Sequence, residues 1–291
     1  MEISTFREAK RRLIDQITSI KEEYKLPDFL LYGGENDLCA KNLGIKVEEK
    51  KMDYDFAGYL PANSQNRPQP IIWIDPADLD LEHKNFTFFH EISHHLIRED
   101  AELYSFLNQI ADRNQDLRML EDRFADIGAA EFLIPSRVVS EFIAEKGFSM
   151  SLLPELDIIF PASKPAITIQ LAQCAAHKCF IIICANNRSD SINSSTLSNE
   201  NNVPRLYIQY SSKSPSQEKY FVAKNTLIPL DHVINKVYIS RTDIKSRDRI
   251  PFRTKTEWVT DCDAIYYEGR VFASFNIEQP SQSRELQPSL F

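Results

Sequence analysis

The chain has 291 residues, 43% of them apolar and 26% charged, with a formal net charge of −8. That length has room for two domains or three small ones, and the composition is that of an ordinary globular protein. The acidic balance argues against general affinity for nucleic acid or anionic membrane, no apolar run approaches membrane-spanning length, and Met1 to Arg7 carries no apolar signal core.

In chain order, Ile3 to Tyr24 reads as an amphipathic helix, with Phe6, Ala9, Leu13, Ile17, Ile20 and Tyr24 at helical spacing and Leu26-Pro27 ending it. Gly33-Gly34 marks a turn, Asp37 to Leu43 a short helix closing at Gly44, and Ile45 to Glu48 an edge strand running on toward Met52. Phe56 to Leu60 is expected to pair with that strand, and Ile71-Ile72-Trp73-Ile74 reads as a buried strand. A helix follows, with Asn85 as its expected N-cap. It carries His90-Glu91-Ile92-Ser93-His94, an HExxH motif. Residues four apart share a helix face, so His90 and His94 can hold one metal ion while Glu91 reaches a water bound to it. The flanking Phe88, Phe89, Ile92, Ser93, His95 and Leu96 are uncharged, which predicts a helix buried on most sides. Imidazoles in such a place are costly without a partner, and a metal is the partner that the motif suits. The strand just ahead of this helix is a candidate for holding an extended substrate by strand addition.

Arg98 to Gln115 reads as a polar connection with a short helix over Ala101 to Ile110, and Leu117 to Ile134 as a second long helix stopped by Pro135. HExxH supplies two ligands, and a hydrolytic zinc needs three with one position left for water. Asp122, Asp126, Ala129 and Leu133 share a face of the second helix near the small Ala125 and Gly128, so this side suits docking against the HExxH helix. Asp122 is the candidate third ligand, and Asp126 one turn on is placed to hydrogen-bond the outer nitrogen of a ligating histidine. Glu121 is the rival ligand, about a hundred degrees round the helix with one more methylene of reach.

These two segments resemble the ImmA/IrrE metallopeptidases. In that family the second helix carries a glutamate ligand four residues before an Asn or Asp, then ends in Ala-Ala-Glu, three apolar residues and a proline. Asp122-Arg123-Phe124-Ala125-Asp126 followed by Ala129-Ala130-Glu131-Phe132-Leu133-Ile134-Pro135 follows that order, and Leu43-Gly44-Ile45 fits the family's turn into a strand. The resemblance covers the first half of the chain. It implies a zincin-like metallopeptidase domain, an α+β fold, zinc or another divalent metal, and a protein substrate that in the family is often a helix-turn-helix repressor cut in a stress or mobile-element response. One departure stands out. Where the family has Glu this chain has Asp122, one methylene shorter, so the second helix must sit closer or Glu121 must swing in. The rival class is therefore a non-catalytic regulator that binds a repressor or a small ligand on a degenerate peptidase scaffold.

Ser136 to Ala176 reads as helical, and some members of the family carry a helix-turn-helix-like segment here. It is poor in Lys and Arg, so packing or partner recognition is expected rather than DNA contact. Cys174, Cys179, Cys184 and His177 permit a metal site, but Cys179 to Cys184 reads as a buried strand with small buried cysteines. The odd set of five cysteines points to free thiols in a reducing cytoplasm. Asn186 to Asn202 is rich in Ser and Asn and reads as a flexible loop. Strands are expected at Arg205 to Tyr210, Tyr220 to Val222, Val237 to Ile239, Trp258-Val259, Ala264 to Tyr267 and Val271 to Phe275, with a helix over Leu230 to Asn235 and a hairpin turn at Glu268-Gly269. Some relatives carry a GAF-like sensor domain here, able to hold a small ligand. Arg241, Lys245, Arg247, Arg249 and Arg253 read as a solvated loop or as a site for an anionic ligand or an acidic partner. The expected organisation is a metallopeptidase domain over 1–136, a helical middle segment over 137–186, a loop over 187–204, a β-rich domain over 205–278 and a disordered tail over 279–291.

Overall fold

The structure is a computed structural model and describes residues 3–28, 37–51, 57–60, 69–75, 80–114, 116–186, 205–217, 219–254 and 257–277. The expected turn at Gly33-Gly34, the strand extension toward Met52, the loop over 187–204 and the tail over 279–291 lie outside the described residues. The chain divides into two compact units: residues 1–138 with 156–167, and residues 139–155 with 168–291. The first unit therefore outlasts the boundary expected at 136, and the middle segment forms no unit of its own. Its residues are shared between the two.

In the first unit, α1 (Phe6–Glu23) starts with a capping box. Thr5 Oγ1 accepts from the Glu8 amide at 3.2 Å and the Glu8 carboxylate accepts from the Thr5 amide at 3.0 Å. Ala9, Leu13, Ile17 and Ile20 form its buried stripe. After α2 (Asp37–Asn42) come β1 (Lys46–Glu49), β2 (Ala57–Leu60) and β3 (Ile71–Ile74), in the spatial order β1-β3-β2. The pairing expected between β2 and β1 is not made. β3 lies between them, parallel to β1 and antiparallel to β2. The all-apolar β3 suits the centre of a sheet, and the charged, alternating β1 suits an edge. With both sides of β3 paired, strand addition beside it is closed, and β1 and β2 are the edges among the described residues.

Four helices follow: α3 (Leu81–Glu99), α4 (Ala101–Asn114), α5 (Leu117–Leu133) and α6 (Ser136–Lys146). The first of them begins earlier than expected. Asp80 caps it, its carboxylate accepting from the His83 amide at 2.7 Å. Asn85 sits inside the helix, fully buried, and donates to the Pro161 carbonyl at 3.3 Å. Both residues are cap-formers, and the tertiary acceptor frees Asn85 from that role. α3 and α5 pack closely. Phe88, Phe89, Phe124 and Phe132 are fully buried, and the rings of Phe89 and Phe132 stack at 5.0 Å. Burial of this kind is worth about 1.5–3 kcal/mol per side chain. Gly128 meets Ser93 at the crossing, where a Cβ on residue 128 would lie 2.3 Å from Ser93 Oγ. The end of α5 is held by Lys21, whose Nζ donates to the Phe132 carbonyl at 2.9 Å. Burial brings the Lys21 amine down to about 8, against the raising pull of Glu131, Asp28 and Cys39.

The chain runs on through a 3-10 turn (Met150–Leu152), α7 (Leu153–Ile159) and α8 (Lys164–Cys174) into the second unit's sheet. That sheet holds β4 (Lys178–Ala185), β5 (Tyr207–Lys213), β6 (Ile244–Arg249), β7 (Val259–Tyr267) and β8 (Arg270–Ile277), all antiparallel in the order β5-β4-β8-β7-β6. Helix α9 (Val233–Ser240) lies against one face. Its Val233, Ile234 and Val237 join Phe180, Ile182, Cys184, Ala273 and Phe275 in one core. On the other face Asp263 accepts from Ser149 Oγ at 2.6 Å and from the Met150 amide at 3.1 Å, anchoring the 3-10 turn.

Here the expected strands need correction. Val237 to Ile239 is helix, because residues 233, 234 and 237 face the sheet together and His232 caps the start, its ring Nδ1 accepting from the Ile234 amide at 3.2 Å. Tyr220 to Val222 is not a strand; Val222 enters the core while the Tyr220 ring meets Phe252 and Trp258. Trp258-Val259 and Ala264–Tyr267 are parts of one approach and one strand, β7. β6 is a strand that the charge pattern hides. The basic residues near it do not gather at an anion. Lys245 faces Asp263, Arg247 faces Asp261, Arg249 pairs with Asp231, Arg253 donates to the Lys224 carbonyl, and the Arg241 guanidinium lies between the Tyr238 and Tyr266 rings. The hairpin turn at Glu268-Gly269 is as expected, with φ of 44° and 81°.

Candidate metal centre

Helix periodicity stacks His90 and His94 on the face of α3 that meets α5, and Asp122 and Asp126 repeat the same four-residue step on α5. The two pairs interlock. His94 Nε2 lies 3.1 Å from His90 Nε2 and 3.3 Å from Asp122 Oδ1. His90 turns its other nitrogen outward, 2.9 Å from Asp126 Oδ1. One ligand atom from each of His90, His94 and Asp122 lies within 4.8 Å of the others, and among the described residues this is the group of such side chains that converges. Cys174, Cys179, Cys184 and His177 do not join in a second one. Cys179 and Cys184 are buried in β4, and His177 pairs with Asn276 at 3.1 Å.

The donor set fits a zinc-type ion. Two nitrogens each about 2.0–2.1 Å from a tetrahedral metal lie about 3.3 Å apart, close to the separation of the two Nε2 atoms. Asp126 on the outer nitrogen of His90 fixes that ring and leaves its Nε2 lone pair facing inward. For His90, burial works against the charged form, but the hydrogen bond to Asp126 and the charges of Glu91, Asp126 and Asp122 outweigh it and raise the pKa. His94 is driven the other way, down to about 3, by burial first and then by the positive charges of His90, Arg98 and Arg118. Both causes favour the neutral ring, the form in which an imidazole binds a metal. Glu91 is buried on α3 beside His90.

The expected rival, Glu121, stands elsewhere. It is buried, takes a 2.9 Å hydrogen bond from Arg98, and approaches the outer nitrogen of His94, 4.0 Å from Nδ1, rather than the inner one. Asp122, half exposed, reaches the inner side. Sequence reading missed Arg98, although it lies one turn beyond His94 on the same face. It also missed Tyr59, whose hydroxyl lies 2.9 Å from His95 Nδ1 and whose ring lies 5.6 Å below the Arg98 guanidinium, tying the edge strand β2 to α3. Only tertiary structure brings these together.

Two imidazoles and a carboxylate on adjoining helices, beside a small mixed sheet, define an α+β domain with a candidate metal site of the HExxH kind. Residues 40–155 match the Peptidase_M78 family, the IrrE N-terminal-like domain, in line with the resemblance of this segment to the ImmA/IrrE metallopeptidases. It is 26% identical to the radiation response metalloprotease IrrE of Deinococcus deserti over 67% of this chain and 66% of that protein. With the protein of the same name from Deinococcus radiodurans the identity is 23%, over 70% of this chain and 62% of that one. The matches thus span just under two thirds of those relatives' own lengths. A Mycobacterium tuberculosis transcriptional regulator shares the fold at a TM-score of 0.51 with 11% identity, over 92% of this chain and 76% of that one. Among the described residues no helix is long and apolar enough to cross a membrane.

Proposed function

We propose that this chain is a zinc-dependent endopeptidase of the cytoplasm that cuts a regulatory protein. The observation that carries the reading is the convergence of His90, His94 and Asp122 within 4.8 Å beside the buried Glu91. Bound there, zinc would polarise a peptide carbonyl and lower the pKa of a water toward neutrality. The chain's own residues do the rest. Glu91 takes a proton from the attacking water and hands it to the leaving amine. Asp126 holds the His90 ring in one tautomer, and the half-exposed Asp122 leaves the site open on its solvent side. The relatives' name, radiation response metalloprotease, supports a stress-linked role, and a helix-turn-helix repressor is the proposed substrate. Five free cysteines, four of them buried, suit a reducing compartment. The antiparallel sheet with α9 on one face supports a GAF-like sensor role for the second unit, with a small ligand as its signal.

The test is Glu91→Gln. It should keep the fold and about one zinc per chain while cleavage of a candidate repressor falls by about 10²–10⁴-fold. A chelator should abolish cleavage by the unaltered protein. Cleavage by Glu91→Gln at the original rate overturns the mechanism. A second reading, a regulator that binds a repressor without cutting it, draws on the short side chain of Asp122, which is 48% exposed. Elemental analysis separates the two, since a stable, zinc-free protein would favour the regulator.

A further inference from the structure

The two imidazoles of the site are held unequally. His90 has a partner on each nitrogen: Asp126 outside and His94 inside. His94 has partners on Nε2 alone, and its Nδ1 is buried without a hydrogen bond. Beside that nitrogen stands a second buried orphan. Glu121 Oε2 is taken by Arg98, but Oε1 has no hydrogen-bond partner. Buried polar atoms without partners are uncommon, and here two belong to residues that lie 4.0 Å apart at the nearest contact of Nδ1 with the carboxylate, a pair that becomes complementary when Nδ1 carries a proton.

Proton bookkeeping explains the pairing. In the neutral form of the His90 ring, the form that binds a metal, Nδ1 donates to the Asp126 carboxylate, so Nε2 is bare and can only accept. His94 Nε2 therefore carries the proton of its neutral ring and donates inward to His90 Nε2 or Asp122, leaving Nδ1 bare next to a carboxylate. A ring that offers Nε2 to a metal carries its proton on Nδ1 instead. The ring loses one proton from Nε2 and gains one on Nδ1, its charge unchanged, and the new N–H needs an acceptor.

We infer that Glu121 is a positioning residue that accepts the Nδ1 proton of His94 in the metal-loaded protein, as Asp126 does for His90, and is not itself a ligand. The inference rests on the metal site put forward above. Arg98 sets the place of the carboxylate, and the Tyr59 ring beneath the guanidinium, anchored through its hydroxyl to His95, sets the place of Arg98. Glu121 acts from the outer side of the ring while Asp122 acts from the inner side, so the two carboxylates have separate tasks.

Nitrogen-15 NMR of the histidine rings, with and without zinc, tests this on the unaltered chain. The His94 proton should sit on Nε2 without zinc and on Nδ1 with it, where it exchanges slowly. Zinc affinity, measured by competition with a chromophoric chelator, should fall about 10–100-fold in Glu121→Leu and only a few-fold in Glu121→Gln, whose amide oxygen still accepts. If the unaltered chain binds no zinc, the metal-site reading fails and this inference with it. If it binds zinc but His94 keeps its proton on Nε2, or Glu121→Leu binds as tightly as the unaltered chain, the inference alone fails. Zinc binding lost in Glu121→Gln yet kept in Asp122→Asn would make Glu121 a ligand and overturn it as well.

Discussion

The helix pair α3–α5 and the strand pair β6–β7 both set cations against carboxylates, to different ends. In the first unit the Arg98 and Glu121 side chains meet at 2.9 Å with Glu121 only 5% exposed. In the second, Arg247 and Asp261 face each other across the strands at 3.7 Å with both more than half exposed. A buried carboxylate needs its cation, and removing either partner strands the other. A wet pair is screened and contributes little, but β6 is an edge strand among the described residues, and charges on such a strand discourage its pairing with another chain. The same two residue types therefore form a buried pair beside His94 in one unit and a solvated pair on an outer strand in the other.

Spacing is the sharpest way to break the first arrangement. Gly128→Ala puts a Cβ 2.3 Å from Ser93 Oγ and 2.7 Å from Ser93 Cβ. The helices must part, at a cost of about 3 kcal/mol, the upper end of what overpacking brings. Because His90 and His94 ride on one helix and Asp122 on the other, zinc affinity should fall with stability. Thermal unfolding and zinc titration read the two effects, and Ser93→Gly in the same chain should restore part of both. Gly269 offers the contrast. A Cβ there meets nothing within 4 Å, and the residue is needed only for its φ of 81°. Gly269→Ala should cost about 1 kcal/mol and leave zinc binding untouched.

Next in size is Arg98→Met. It leaves the Glu121 carboxylate buried without its cation and should cost about 2 kcal/mol, less than a fully buried pair because Arg98 is partly exposed. Chemical denaturation measures it. Arg98→Met/Glu121→Leu should recover most of the loss, since removing both charges removes the stranded one. A single Arg98→Met variant as stable as the unaltered chain would mean that the pair contributes nothing to this helix crossing.

What the sequence disclosed follows the same division. HExxH and the Asp122–Asp126 step were legible because a helix fixes the geometry of residues four apart, whatever surrounds it. Docking of the two helices was legible too, through Ala125 and Gly128. Tyr59, Arg98 and Glu121 were not assembled in advance, because β2, α3 and α5 meet only through tertiary packing. In the second unit local preference misled. The β-branched Val237 and Ile239 sit in a helix because the sheet rewards Val233, Ile234 and Val237 on one face. β6 went unread because Lys245, Arg247 and Arg249 carry no apolar alternation. An edge strand tolerates that, while a helix pair around a buried site does not.

The smallest expected effect tests the other half of the contrast. Arg247→Ala removes a cation whose partner Asp261 stays half exposed and keeps water in place of the guanidinium. The loss should be no more than about 0.5 kcal/mol and should shrink further in salt. Zinc affinity should not change, since the residue belongs to the second unit's sheet and not to the α3–α5 pair. The more telling measurement is self-association. Lys245, Arg247 and Arg249 all lie on a strand that is an edge among the described residues, so replacing the three by Thr should leave the fold intact while exposing that strand to pair with its like. Sedimentation of that triple variant should show dimers or larger species at concentrations where the single Arg247→Ala variant behaves as the unaltered chain. If the triple variant sediments unchanged, the edge is protected by the twist of β6 or by its covering, and its charges have no part in keeping the sheet to itself.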